Sequence, residues 1–170
     1  MREEFTREQF DEGSCIVEEH SKVITDLVYD IVDKYTKDLD LFVDKVKNGL
    51  EDKDNPLTTN ELNNICMRLA TYIYFASAMT EQLGIKDDIS KALYKETYNN
   101  NRNLLEKGTV ADKNTQAELN SQKEYLVNVI YSRSFRMVKA KVDSAQELLS
   151  SIKKVLTLRI NELNLTRIGD

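Results

Sequence analysis

From Thr109 to about Leu165 nothing in the sequence forces a helix to stop. Gly108 precedes the stretch, and Thr109 with Asp112 three residues on forms a capping-box pattern. No Pro or Gly follows until Gly169. At 1.5 Å per residue a helix of that length spans roughly 80 Å. It is too long to be one face of a compact domain of this size. The expected fold is therefore all-α: a helical bundle with a long C-terminal helix that oligomerises.

The stretch carries two apolar stripes. Leu126, Val129, Met137, Ala140, Ser144, Leu148 and Val155 fall on one side. Tyr131, Phe135, Val138, Val142, Ala145, Leu149 and Leu156 fall on another. A surface helix of a monomer needs one stripe; a helix with two is sandwiched. One stripe takes the preceding helices of its own chain. The other is left for a second chain or for the N-terminal segment. Phe135, Val142, Leu149, Ile152 and Leu156 are the expected oligomer interface.

Scarcity of breakers supports the helical reading along the whole chain: the sequence holds Pro56 alone, five Gly and no Trp, with 31% charged residues. The net charge of −5 is unevenly spread. Residues 1–100 hold 12 Lys and Arg against 21 Asp and Glu, a net of −9. Residues 101–170 hold 12 against 8, a net of +4. Such a split fits complementary subunits, a polyanion site in the C-terminal half, or ordinary solvated helix faces. Cys15 and Cys66, far apart and outside any cluster, read as free thiols of a reducing cytosol. No apolar run approaches the roughly 20 residues of a membrane span. The acidic start, with Glu3, Glu4, Glu8, Asp11 and Glu12, is no signal peptide.

In chain order, residues 1–14 place Phe5 and Phe10 among charges, as a short helix or an arm, and Gly13 and Ser14 interrupt. Residues 15–48 form the first long helix. Ile24, Val28, Ile31, Tyr35, Leu39, Phe42 and Val46 recur at spacings of three and four, close to a heptad seam. Residues 49–57, with Asp52, Asp54 and Pro56, form a linker and a mobile joint. This divides the chain into an N-terminal helical segment (1–48), the linker (49–57), and a helical hairpin with the long C-terminal helix (58–170), expected to fold alone. A second helix starts at Thr58, where Glu61 completes a capping box, and ends at Gly84. Its stretch 70–79, ATYIYFASAM, is apolar nearly all round and is expected to be the most buried. A third begins at Asp87 or Asp88 and runs to about Lys107, with a kink or fraying at Asn99-Asn100-Asn101. Short links make helices two, three and four an up-down-up bundle.

Catalytic patterns are lacking. His20 stands alone, and Glu18 and Glu19 beside it do not share its helix face. Cys15 and His20 have no second ligand pair for zinc. Gly84 and Gly108 end helices rather than cradle phosphate. No catalytic residue, metal or cofactor is expected. The constellation with chemical content is Tyr131, Arg133, Arg136, Lys139 and Lys141, with Phe135 among them. Single-stranded nucleic acid is held by positive charge along its backbone and aromatic faces under its bases. Two alternatives stand beside this reading: Arg133, on an apolar stripe, pairs with a carboxylate, and Tyr131 and Phe135 are simply core.

Residues from about Leu62 to Leu163 resemble small phage proteins of the UvsY recombination-mediator type. The features that carry the likeness are Tyr72-Ile73-Tyr74, Ala92-Leu93-Tyr94-Lys95 and Tyr98, then Glu106-Lys107-Gly108-Thr109-Val110-Ala111-Asp112 and Ala117-Glu118. The long helix from Tyr125 to Leu163, with Lys139-Ala140-Lys141, completes it. The longer acidic N-terminal segment departs from that pattern. The resemblance implies a non-enzymatic protein that assembles into rings and binds single-stranded DNA. It further implies loading of a recombinase onto strands coated by single-strand binding protein, in the cytoplasm of an infected bacterial host. The alternative function class is a phage protein that acts only by protein–protein contact, on a host target or in a virion.

Overall fold

The computed structural model describes residues 7–105 and 107–168, with the side chains of 8–13, 16, 19–20 and 163–168 left aside. Helix α1 spans Arg7–Glu51, α2 Thr59–Leu104, α3 Val110–Asn120 and α4 Gln122–Ile168. The all-α bundle with a long C-terminal helix is the observed architecture. No strand occurs among the described residues.

Pairs along the helices set the topology. Gly84 lies against Phe135, Asn128 bonds Ser90, and Asn101 bonds Ser121, so α2 and α4 run antiparallel. Phe42 stacks on Tyr72 with ring centroids 4.9 Å apart, and Tyr35 meets Lys86, so α1 is antiparallel to α2. Asp40 pairs with Lys141, while Val28 and Val129 line one groove, so α1 runs parallel to α4. The three long helices therefore stand up, down and up. The short α3 folds back on the end of α2.

The core follows from spacing. On α2, Leu62, Cys66, Leu69, Ile73, Ala76, Thr80 and Leu83 are all buried and alternate by four and three residues. On α4, Val138, Val142, Ala145 and Ile152 are buried, and the half-buried Tyr131, Phe135, Leu149 and Leu156 complete the same alternation. The α1 seam supplies Val28, Val32, Leu39, Phe42 and Val46. Val28, Leu39, Phe42 and Val46 belong to the seam read from the sequence; the buried Val32 and Thr36 do not, and Ile24, Ile31 and Tyr35 of that seam are half-buried. Burial pushes the Cys66 thiol above its ordinary value, as an inert core thiol requires.

Several expectations are corrected. Helix α1 passes unbroken through Gly13 and Ser14. Residues 1–6, with Phe5, lie outside the described residues. Helix α2 does not end at Gly84; it continues to Leu104 through Asp87, Asp88 and the three asparagines. A helix-interior glycine costs only about 1 kcal/mol, and here its missing side chain admits Phe135, whose Cε2 would stand 3.2 Å from an added Cβ. The long C-terminal helix is divided at Ser121, whose φ of −109° and ψ of 11° leave the helical range. Its N–H still reaches Ala117 and Glu118 carbonyls, and its own carbonyl accepts from Tyr125, so the chain resumes at once. Tyr74 and Phe75, within the stretch expected to be most buried, are exposed.

Both capping boxes form. Thr58 Oγ1 accepts from the Glu61 N–H at 3.3 Å, and Thr109 Oγ1 from the Asp112 N–H at 3.2 Å. Thr109→Ala is expected to cost about 1 kcal/mol in chemical denaturation. The backbone N–H of Thr58 holds the Glu61 carboxyl below its ordinary 4.5, and the Thr109 hydroxyl holds Asp112 below 3.8. Folded-state values lower than unfolded ones contribute stability above those ordinary values, and it is lost as pH falls through the folded values. Gly108, at φ +111°, makes the turn before the second box, where a side chain would be strained.

The loop after α1 is anchored at its far end. Asp52 Oδ1 accepts from the N–H groups of Asp54 and Asn55, Leu57 packs on the core, and Arg159 donates to the Leu57 carbonyl. Both core clusters contain α1 side chains, so residues 58–170 share their core with α1.

Candidate nucleic-acid interface

The parallel pairing of α1 with α4 leaves a groove of about 530 Å³ between them. Ile24, Val28, Val129 and Met137 make it apolar, and Arg133 and Arg136 line it from α4. Both arginines are exposed; Arg136 Nε also donates to the Ser132 carbonyl at 3.3 Å. Across the groove Tyr29 is exposed from α1, with Ser21 and Thr25 beside it. Lys139 is exposed one turn beyond Arg136.

Two of the five sequence-read binding residues are differently placed. Lys141 reaches α1, where its Nζ pairs with Asp40 Oδ2 at 2.5 Å. The same carboxylate oxygen lies 2.7 Å from the hydroxyl of the buried Thr36. Lys141 is thereby neutralised and part of the α1–α4 packing. Tyr131 is half-buried against the cluster of Val28, Val32, Leu83 and Val138. Its alternative reading as core is the structural one. Among the described residues Arg133 forms no ion pair with a carboxylate, and its stripe faces the open groove.

Tyr29 is the residue that sequence reading missed. Its placement depends on which flank of α1 meets α4, and that follows from helix order in three dimensions. Asp26, Asp30 and Asp33 are exposed on α1 one flank further round, so negative charge borders the groove on that side and positive charge on the α4 side.

The five expected interface positions lie inside this chain. Val142 and Ile152 are buried, and Phe135, Leu149 and Leu156 pack on the same core. The stripe that carries most of them packs on α2 and on α1, the N-terminal segment that stood beside a second chain as its expected occupant.

No group of three or more His, Cys, Asp or Glu side chains suited to a metal ion occurs among the described residues. No described helix is long and apolar enough to cross a membrane. The side chain of His20 lies outside the described residues. Compared with protein-family models, curated proteins and solved structures, the chain matches none.

Proposed function

We propose that this protein is a non-enzymatic recombination mediator of the phage type that its sequence resembles, holding single-stranded DNA in the α1–α4 groove. The observation that carries the reading is the pair of Arg133 and Arg136 exposed along an apolar groove with Tyr29 on its other wall; Lys139 is exposed one turn further along α4. Phosphates meet the cationic side and bases stack on the tyrosine, the two contacts that sequence-independent single-strand binding requires. In this reading the bound strand is handed to a recombinase in the presence of single-strand binding protein, inside an infected bacterial cell.

Fluorescence anisotropy with labelled oligothymidylate, over a salt series, tests it. The parent protein is expected to bind with affinity that falls steeply with salt. Arg133→Glu with Arg136→Glu should weaken binding at least tenfold and flatten the log–log salt slope by about 1.4, at about 0.7 per phosphate contact on single strands. Tyr29→Ala should lose the roughly 1–3 kcal/mol of one stacked base. Lys141→Gln should leave the salt slope unchanged, because Asp40 already holds that charge. A parent protein without measurable affinity at low salt sinks the reading.

The second reading, action through protein contact alone, is favoured by a separate observation: the exposed apolar face of α2.

A further inference from the structure

Helix α2 is apolar on two opposite faces. Its buried seam is filled by α1 and α4. With Met67 as origin and 100° per residue, Tyr74, Ala78, Ile85, Ile89 and Ala92 fall within about 40° of it, while Leu69, Ala76 and Leu83 fall on the opposite side. Phe75 and Leu93 widen the outer stripe on one flank. Met67, Tyr74, Phe75, Ile85, Ile89 and Leu93 are between 53% and 72% exposed. A stripe of this length along one helix is not the scatter of single apolar residues that any surface shows.

We propose that this outer face of α2 is a two-fold interface, occupied by the α2 of a second copy running antiparallel. Its residue pattern is self-complementary about a point between Met79 and Thr80. Two antiparallel copies centred there place Tyr74 opposite Ile85, Ala70 opposite Ile89 and Met67 opposite Ala92. Thr71 then meets Asp88, a hydroxyl opposite a carboxylate, and Ala78 and Glu81 flank the two-fold axis at equal distance, each facing the other across it, with Ala78 small enough to let the backbones approach. An isologous contact of this kind closes at two copies.

The area fits. With aromatic side chains carrying about 150–250 Å² each, the six exposed residues offer roughly 700 Å² per copy. A specific interface of standard size buries about 800 Å² per partner. One group works against the pairing: Glu81 sits beside Ala78, so the two copies bring like charges near the axis. The interface stands on α2 alone and does not depend on the DNA reading.

Sedimentation equilibrium of the full chain and its variants tests it, with helicity followed by circular dichroism. The parent is expected to be dimeric at micromolar concentration. Tyr74→Glu alone and Ile85→Lys alone should each weaken association at least 100-fold while keeping helicity, because both side chains point away from the core. The double variant, with opposite charges facing across the two-fold, should recover at least tenfold of that loss. Glu81→Gln should tighten the dimer. A parent that stays monomeric at 100 µM overturns the proposal. So does a Tyr74→Glu or Ile85→Lys variant that associates like the parent, or a double variant no stronger than the weaker single one.

Discussion

A chain cut to residues 58–170 should show no cooperative melt. The hairpin of α2 with α3 and α4 keeps its own pairing but loses Val28, Val32, Leu39, Phe42 and Val46, all buried in the complete chain. Full burial of one such side chain is worth about 1.5–3 kcal/mol, so their loss is on the order of 10 kcal/mol as an upper bound. A whole domain is stable by only about 5–15 kcal/mol. Calorimetry and dye binding give the readout: a broad, shallow transition with exposed apolar surface. A sharp melt near that of the full chain would show that α1 is peripheral.

The second large effect is expected at Leu83, which is fully buried among Val28 and Val32 of α1 and Val138 of α4 at the three-helix junction. Leu83→Ala should cost about 2–5 kcal/mol, since three rigid helices cannot collapse into the space left behind. At roughly 2–4 °C per kcal/mol for a chain of this size, the melting temperature should fall by about 4–20 °C. Tyr74→Ala, nine residues earlier and exposed, should change stability by less than about 0.5 kcal/mol in dilute solution. Urea unfolding separates the two; an equal loss at both positions contradicts the packing described for α2.

What was legible in the sequence was local. The capping boxes at Thr58 and Thr109 depend on residues three apart, and both form. The α1 seam from Val28 to Val46 could be read because spacing decides which face is apolar. The loop around Pro56 announced itself through breakers. Gly84 misled because glycine ends helices only when nothing holds the next turn; here Phe135 fills its open side. Ser121 was missed because its break involves neither Gly nor Pro. Its hydroxyl instead accepts from Asn101 Nδ2 at 3.0 Å, a partner twenty residues away.

The candidate site was half legible for the same reason. Arg133, Arg136 and Lys139 are neighbours on one helix, and their proximity is sequence-local. That Lys141 is spent on Asp40, and that Tyr29 stands across the groove, are facts of helix pairing over a hundred residues. The second apolar stripe of the long helix was read correctly as needing a neighbour. Which neighbour it has could not follow from the stripe, since α1 and a second chain offer the same kind of surface.

The alternation of four and three residues along the seams of α2 and α4 has a geometrical outcome. A repeat of 3.5 lags behind the 3.6 residues of a helical turn, so helices that keep such seams together wind left-handedly around one another. A supercoil with the typical pitch of about 150 Å turns through almost half a revolution over the roughly 69 Å of α2. Arg133 and Arg159 lie on one helix, about 39 Å apart along it, and a supercoil of that pitch turns by about a quarter over such a distance. Any molecule that engages both the groove at Arg133 and the loop end at Arg159 must curl around the rod as the helices do.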